Sequence, residues 1–238
     1  MAIPTVNNFI RQKVIINSVT NVADGVKEIS FQRPDGISVI PGQFVGVAIN
    51  DGQAEPGFRA YSALSDVHGN MQICVKKVEN GRGSTFLHTL KGGEEMDVIL
   101  PLGYFSFPLK LSQHLLFIAT GTGIVPILAL LESLPDGFKG TATLIFGVRN
   151  EKDLFYEERI RKVTASNPNF SATITLSQPS PVWKGSVGRV TSVIEKMELE
   201  GDTQSFICGN GSMITSARAM LKAKGLKARN IFYEDFND

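Results

Sequence analysis

The fold of the second half of the chain is decided by the stretch Leu115-Leu116-Phe117-Ile118-Ala119-Thr120-Gly121-Thr122-Gly123-Ile124-Val125-Pro126. Its first five residues are all apolar, as expected of a parallel strand buried on both faces. The glycines then form a turn into a helix, predicted at 127–134, where a proline is tolerated in the first turn because its missing N–H has no helical partner. Strand, glycine turn and helix N-terminus in this order are typical of the phosphate-binding start of a dinucleotide fold.

The alternation of strands and helices continues to the end of the sequence. Further strands are predicted at 142–147, 171–177, 205–208 and 230–236, and further helices at 153–165, 189–196 and 212–224. Five strands alternating with four helices favour a doubly wound, mostly parallel sheet in residues 109–238. Ligands bind at the carboxyl ends of the strands of such sheets. Glycines and polar residues are gathered at these ends, in Gly121-Thr122-Gly123, Gly147-Val148-Arg149-Asn150, Ser177-Gln178 and Cys208-Gly209-Asn210-Gly211.

Working outward towards the N-terminus, residues 1–108 have a different pattern of short β-rich segments. These are predicted at 13–19, 26–32, 43–49, 59–64, 71–78 and 95–100, with turn signals between them. About six antiparallel strands at this spacing predict a closed β-barrel or a sandwich. The rhythm changes at Pro101-Leu102-Gly103-Tyr104-Phe105-Ser106-Phe107-Pro108, so we place the domain boundary near residue 108.

Two segments of this first domain carry candidate binding chemistry. In Phe58-Arg59-Ala60-Tyr61-Ser62-Ala63-Leu64-Ser65, a guanidinium suits a phosphate, a phenol offers a flat face to a ring, and a hydroxyl offers a hydrogen bond. Such a strand could also be a surface strand whose arginine lies along a barrel rim. The second segment is the glycine loop Gly81-Arg82-Gly83-Ser84-Thr85, which runs into a short helix with Ser84 as the expected N-cap. This loop is either a phosphate site or a capped connector.

The composition excludes several classes of function. The 238 residues include 24 basic and 23 acidic side chains, so no nucleic-acid partner is indicated. No stretch reaches the length of a membrane span, and the N-terminus has no secretory signal, which leads us to expect a cytoplasmic protein. Cys74 and Cys208 are too few for an iron–sulfur or zinc site, and the three histidines lack ligand spacing. With no metal site expected, redox chemistry would need an organic cofactor.

The motifs together resemble those of the ferredoxin–NADP reductase family of flavoenzymes. The matching motifs, in order, are Arg59-x-Tyr61-Ser62, Gly83-Ser84-Thr85, Gly121-Thr122-Gly123-x-x-Pro126, Cys208-Gly209 and Glu234-x-Phe236. The resemblance covers essentially the whole chain. It implies an antiparallel β-barrel FAD-binding domain, then an α/β NAD(P)-binding domain, with hydride passing between nicotinamide and flavin.

The resemblance also implies roles for residues of the barrel. Arg59 would pair with the flavin pyrophosphate, Tyr61 would stack on the isoalloxazine, and Ser62 would hydrogen-bond the flavin near N5. The other residues that it places at the FAD are Ala60, Cys74, Val75, Lys76, Gly83, Ser84, Thr85 and Phe236. Among them Phe236 would shield the flavin face, although Asn237 and Asp238 follow it.

In the second domain the resemblance implies a site for NAD(P)H. Its residues would be Thr120, Gly121, Thr122, Gly123, Pro126, Gly147, Arg149, Ser177, Gln178, Cys208 and Gly209. The residues framing hydride transfer would be Ser62, Cys208 and Glu234. NADH is slightly favoured, because Gln178 stands where NADPH-using members often have arginine, although Lys184, Arg189 and Arg218 could supply charge.

The function that we expect is an NAD(P)H-dependent flavoprotein reductase. It would pass electrons to a separate carrier protein, namely a ferredoxin, a flavodoxin or an oxygenase component. The alternatives are a reductase of free flavin and a non-catalytic nucleotide-binding subunit of the same fold. Trp183, the one tryptophan of the sequence, is left without a role.

Overall fold

A computed structural model of the protein describes residues 9–53, 57–66, 68–135 and 137–235. The chain divides into two compact units, of which the first ends at Ser106 and the second begins at Phe107. No helix among the described residues is long and apolar enough to cross a membrane. Within the same residues no group of three or more His, Cys, Asp or Glu side chains is arranged to hold a metal ion.

The first unit is a closed antiparallel β-barrel. Of the two folds that the strand spacing allowed, a barrel or a sandwich, the barrel is therefore the correct one. Its elements are β1 (Ile10–Ala23), β2 (Val26–Phe31), β3 (Phe44–Ile49), β4 (Gly57–Ser65), β5 (Met71–Lys76), α1 (Arg82–Thr89) and β6 (Glu95–Leu102). The strands follow one another around the barrel in the order β1-β2-β5-β4-β3-β6. Strand β1 closes it because its first half pairs with β6 and its second half pairs with β2.

The barrel is filled by the inward-facing side chains of its strands. Val45 and Val47 of β3, Ile29 of β2 and Ile73 of β5 are fully buried in one apolar cluster. Leu87 of α1 joins the same cluster, so the helix packs on the barrel through its apolar face. This packing places α1 beside strands β3, β4 and β5.

The second unit is a six-stranded parallel sheet with helices, which confirms the predicted doubly wound fold. Its elements are β7 (His114–Thr120), α2 (Ile124–Glu132), β8 (Thr141–Val148), α3 (Glu157–Ala165), β9 (Phe170–Leu176), β10 (Ser186–Val187), α4 (Val190–Lys196), β11 (Gln204–Gly209), α5 (Gly211–Ala223) and β12 (Ile231–Asp235). The strand order is β10-β9-β8-β7-β11-β12. Strand β10 was not predicted, because two residues are too few to form a sequence pattern.

The beginning of α3 differs from the prediction. The sequence pattern starts this helix at residue 153, whereas α3 begins at Glu157. Residues 151–153 instead form a separate single turn, whose backbone is capped by the side chain of Asn150. Tyr156, which precedes α3, has a left-handed φ of 61° that interrupts the helical backbone. Residues 151–153 therefore form a turn that follows β8 and are not the first turn of α3.

Candidate functional site

The register of the parallel sheet places the predicted residues side by side at its carboxyl edge. Thr120 of β7 lies level with Gly147 of β8. On the other side of β7, Cys208 of β11 pairs with Ala119, and Glu234 of β12 pairs with Cys208. Residues that are far apart in the sequence therefore form one row, at the edge where parallel sheets bind ligands.

The glycine turn after β7 lies in direct backbone contact with the end of β11. A Cβ atom added to Gly123 would lie 2.5 Å from the carbonyl carbon of Cys208 and 2.7 Å from the nitrogen of Gly209. Neither neighbour is a flexible side chain, so only glycine fits at this position. Gly121, by contrast, has a φ of +53° and nothing within 4 Å of its Cβ position. The turn is therefore tightly packed against β11 at Gly123, whereas open space adjoins it at Gly121.

The side chain of Thr120 carries a buried polar atom at the centre of this edge. Its Oγ1 is buried and has no hydrogen-bond partner in the described part of the chain. The hydroxyl lies against Gly209, where a Cβ atom would overlap it. An unpartnered buried hydroxyl costs about 1–3 kcal/mol. This atom therefore fits a site in which a polar group of a bound dinucleotide supplies the missing hydrogen bond.

Cys208 and Glu234 lie next to each other in this row. The Cys208 side chain is fully buried, and burial raises the pKa of its thiol well above the ordinary value, with a further contribution from the charge of Glu234. A neutral thiol at this position is a packing contact rather than a nucleophile. Glu234 is half-buried and is the acidic group closest to that thiol along the row.

The residues predicted after β8 and β9 form the exposed part of the edge. Arg149, Ser177 and Gln178 are exposed. Backbone hydrogen bonds continue the sheet beyond the two strands, from Ser177 N–H to the Val148 carbonyl at 3.1 Å and from Gln178 N–H to the Arg149 carbonyl at 2.7 Å. These bonds hold the polar side chains on a fixed backbone while leaving them open to a ligand.

In the barrel, the structure brings the arginine of β4 and the glycine loop together. A Cβ atom on Gly83 would lie 2.8 Å from Cγ of Arg59, so the arginine stem crosses directly over the first turn of α1. The Arg59 side chain is exposed, and its Nη1 donates to the Phe58 carbonyl at 2.9 Å. A guanidinium and a helix N-terminus next to each other are a suitable pair for a pyrophosphate.

The predicted N-cap at Ser84 is wrong. Helix α1 begins at Arg82 with Gly81 as its N-cap and no side-chain capping bond. The Ser84 hydroxyl instead donates to the Gly81 carbonyl and accepts from the Val78 N–H, both at 3.1 Å. The first helical hydrogen bond is from Thr85 N–H to the Gly81 carbonyl, so the N–H groups of Gly83 and Ser84 precede it. The serine hydroxyl therefore shapes the loop rather than capping the helix.

The other residues of the β4 motif differ in burial. Tyr61 packs partly against the barrel core, and burial raises the pKa of its phenol to about 12. The phenol therefore stays protonated at any physiological pH. Ser62 is buried, and Ala60 is exposed.

The residues predicted on β5 have unequal access to a ligand. Cys74 is buried and Lys76 is exposed, whereas Val75 points into the barrel core. The Val75 carbonyl is already hydrogen-bonded by Nε2 of His88 at 2.9 Å. Phe236, the predicted flavin-shielding aromatic, lies outside the described residues.

One ion pair and one hydrogen-bonded pair lie beside these sites, and neither was predicted from the sequence. Arg82 forms a two-pronged ion pair with Asp51, with Nε to Oδ2 at 2.6 Å and Nη2 to Oδ1 at 2.7 Å, at the start of α1. In the second unit, Glu151 accepts hydrogen bonds from Ser180. No sequence signal links either pair, because the partners come from different loops.

Comparison with known proteins agrees with this geometry. Residues 13–107 match the family model of the oxidoreductase FAD-binding domain, and residues 117–219 match that of the oxidoreductase NAD-binding domain. The barrel and the parallel sheet therefore correspond to two domains with different cofactors.

Curated relatives match over most of the chain. Ferredoxin–NADP reductase B of Sorangium cellulosum is 30% identical over 89% of this chain and 92% of its own length. The toluate 1,2-dioxygenase electron transfer component of Pseudomonas putida is 29% identical over 92% of this chain and 64% of its own length. NADH-cytochrome b5 reductase 1 of Neosartorya fischeri is 29% identical over 92% of this chain and 77% of its own length.

Solved structures share the fold. A cytochrome P450 reductase from Amycolatopsis superposes with a TM-score of 0.87 at 20% identity, over 97% of this chain and 71% of that one. A ferredoxin NADP+ reductase from Neisseria gonorrhoeae with bound FAD and NADP gives 0.82 at 19% identity, over 94% and 98%. Taken with the two domain models and the curated relatives, these matches show that the chain belongs to the ferredoxin–NADP reductase family of FAD- and NAD(P)-binding oxidoreductases.

Proposed function

We propose that this protein is an NAD(P)H-dependent flavoprotein reductase that moves hydride between nicotinamide and bound FAD and passes electrons to a separate carrier protein. The observation that carries the proposal is the presence of an FAD-binding and an NAD-binding domain in one chain. When bound, FAD accepts electrons in pairs and can release them singly. The chain's own contribution is to hold, align and desolvate the two cofactors.

In the barrel, Arg59 and the first turn of α1 are proposed to anchor the FAD pyrophosphate. The support is the contact of the Arg59 stem with Gly83, in the first turn of α1. Tyr61 is proposed to support the flavin ring, because its ring is held against the barrel core and its phenol stays neutral. Ser62, next along β4, is proposed to hydrogen-bond the reacting edge.

In the second unit, the turn after β7 is proposed to hold the nicotinamide dinucleotide. Gly121 leaves open space above the turn, and Thr120 offers a buried hydroxyl that lacks a protein partner. Cys208 and Glu234 are proposed to lie beside the nicotinamide. The Cys208 thiol is fully buried, so its proposed role is to pack beneath this part of the site, whereas the half-buried Glu234 is proposed to orient the amide.

The acceptor is proposed to be a carrier protein such as a ferredoxin, a flavodoxin or an oxygenase component. The names of the relatives describe a ferredoxin reductase, an electron transfer component of a dioxygenase and a cytochrome b5 reductase. We propose that the one-electron carrier is a second protein, in line with the ferredoxin named in one relative.

The experiment that tests the proposal is anaerobic reduction of the purified protein loaded with FAD. Addition of NADH or NADPH is expected to bleach the flavin absorbance within the time of enzymatic turnover. A flavin that stays oxidised with both nucleotides contradicts the proposal and favours a non-catalytic nucleotide-binding subunit.

A second measurement tests the acceptor. Steady-state oxidation of the nicotinamide is compared with a ferredoxin, a flavodoxin, cytochrome b5 and free FMN as acceptors. A carrier protein is expected to give a kcat/KM well above that of free FMN. If free FMN is used best and no carrier protein accelerates turnover, the protein is a free-flavin reductase instead.

A further inference from the structure

The barrel contains an open, polar cavity that lies apart from the proposed cofactor sites. Its volume is about 600 Å³, and it is lined by Asn17 of β1, the loop 32–38 after β2 and the tip 68–70 of the hairpin between β4 and β5. Small-molecule sites in proteins have volumes of about 300–1,000 Å³. The hairpin tip follows the end of β4, whereas Arg59 lies near the start of that strand, so the cavity is distinct from the proposed pyrophosphate site.

The hairpin wall of the cavity is held in place by the carboxylate of Asp66. Its Oδ1 accepts from the N–H groups of His68 and Asn70, at 2.8 and 2.9 Å. Its Oδ2 accepts from Nδ2 of Asn70 at 2.9 Å, and its carbonyl accepts from the Gly69 N–H at 3.1 Å. Both carboxylate oxygens of Asp66 therefore serve the hairpin itself, and this wall is formed without a ligand.

The facing walls are formed by a turn and by a bulge. In the loop after β2, the Ile37 N–H donates to the carbonyl of the buried Pro34 at 3.3 Å, which closes a turn. The pairing of β1 with β2 shifts register between Ile16 and Ser18, so Asn17 lies at a β-bulge. Bulges redirect a side chain out of the regular alternation of a strand. Asn17 thereby becomes part of the cavity lining.

Arg33 brings a positive charge from the loop after β2 to the hairpin tip. Its Nη2 lies 3.8 Å from the position that a Cβ atom on Gly69 would take. Among the residues that the structure describes, Arg33 has no hydrogen-bond or ion-pair partner, although Asp35 lies in the same loop. The guanidinium is therefore available to a ligand. Its planar fork matches a carboxylate, to which it can donate two parallel hydrogen bonds.

The rest of the lining indicates the kind of ligand. Asn17, Gln32 and Asn70 carry amides, and His68 carries an imidazole, so the cavity offers hydrogen bonds rather than an apolar surface. A water molecule has a share of liquid volume of about 30 Å³, so the cavity admits a molecule of several carbon atoms and not only an inorganic ion. A guanidinium together with several amides suits an organic acid that also carries hydroxyl groups.

We propose that this cavity is a binding site for a small hydroxylated organic acid, whose carboxylate pairs with Arg33. The hairpin tip and the loop after β2 are its two main walls, and the amides of the lining orient the rest of the ligand. The inference goes beyond the proposed function and does not depend on it, because no residue of the lining belongs to the proposed FAD or dinucleotide sites.

The test measures binding of two hydroxylated acids, malate and citrate, to the oxidised, FAD-loaded protein. Affinities are determined by calorimetry at constant ionic strength, because salt screens exposed charges. The wild type is expected to bind at least one of the acids with a Kd of about 1 mM or below. Malamide, the uncharged diamide of malate, is expected to bind at least about tenfold more weakly than malate, because it cannot form the charged pair with Arg33.

Arg33→Gln removes the charge but keeps a polar side chain at an exposed position, so the fold is retained. This variant is expected to bind the acid at least about tenfold more weakly than the wild type. Arg229→Gln is the matched control, because Arg229 is also exposed but belongs to the second unit. Its affinity for the acid is expected to equal that of the wild type.

Three results overturn the inference. The first is that neither acid binds the wild type with a Kd below about 10 mM. The second is that malamide binds as tightly as malate, and the third is that Arg33→Gln binds the acid as the wild type does. None of these measurements depends on reduction of the flavin, so a failure of NADH and NADPH to bleach FAD contradicts the proposed function alone.

Discussion

Replacement of Gly123 by alanine tests the packing on which the proposed nicotinamide site depends. In the wild type, the position of an added Cβ lies 2.5 Å from the carbonyl carbon of Cys208 and 2.7 Å from the nitrogen of Gly209. Carbon atoms in contact normally lie about 3.5–4.0 Å apart. The turn and the end of β11 must therefore separate by about 1 Å to admit the methyl group.

The loss in the free energy of unfolding depends on which atoms must move to admit the methyl group. Both contacting atoms belong to the backbone, and Cys208 is paired with Ala119 in the centre of the sheet. Overpacking typically costs about 1–3 kcal/mol, and a rigid neighbour places this variant at the upper end. For a unit of this size, a loss of about 3 kcal/mol lowers the unfolding midpoint by about 10 °C.

The assay is thermal and urea unfolding of the FAD-loaded protein, followed by far-UV circular dichroism, together with calorimetric binding of 5′-AMP. Gly201→Ala is the matched control, because nothing lies within 4 Å of its Cβ position. The control is expected to stay within about 0.5 kcal/mol of the wild type. Gly123→Ala is expected to lose stability and also nucleotide affinity, since we propose that the backbone of the displaced turn faces the phosphates of the dinucleotide.

The reasoning is refuted if Gly123→Ala unfolds at the same midpoint as Gly201→Ala. Equal midpoints mean that the backbone contact between the glycine turn and β11 is not a constraint on the fold. If Gly123→Ala loses stability but binds 5′-AMP as the wild type does, the contact between the turn and β11 is confirmed. The proposed position of the phosphate at the turn is then wrong.

Further predictions concern the barrel site, the buried thiol and the ion pair at α1. Arg59→Ala is expected to weaken FAD binding by about 1.5–3 kcal/mol, or about 10- to 150-fold, in equilibrium dialysis, with Arg161→Ala unaffected. Ser62→Ala is expected to retain FAD and slow its reduction in stopped-flow experiments; equal loss of flavin from both variants contradicts the proposed roles. Because burial raises the pKa of Cys208, it is expected to resist a thiol reagent at pH 8 until the protein unfolds. Asp51 has its pKa lowered to about 2, chiefly by its arginine partner, so its contribution to stability is present above about pH 4 and lost as pH falls towards 2. Asp51→Asn is therefore expected to have a lower free energy of unfolding in urea than the wild type at pH 6. This difference is expected to shrink as the pH falls towards 2, and a difference that grows on acidification would contradict the reasoning.

Local patterns in the sequence determined the architecture. The apolar run that ends at Thr120, followed by glycines, predicts a buried parallel strand and a turn, because both depend on a few consecutive residues. The order of the motifs likewise indicated the family before any contact was known. The same local reasoning failed at Ser84, because a helix start depends on the preceding loop as well as on the capping residue type.

Only the tertiary structure decided which side chains form ion pairs and hydrogen bonds with each other. Arg82 with Asp51, and Glu151 with Ser180, join loops that are separate in sequence, and no pattern along the chain relates them. Which hydroxyl stays unpartnered depends in the same way on the register of neighbouring strands, as at Thr120. The sequence by itself therefore determined the two domains and the positions of their glycine turns, because these arise from neighbouring residues. Only the folded chain decided which charges and hydroxyls face those turns, because that depends on how distant segments are brought together.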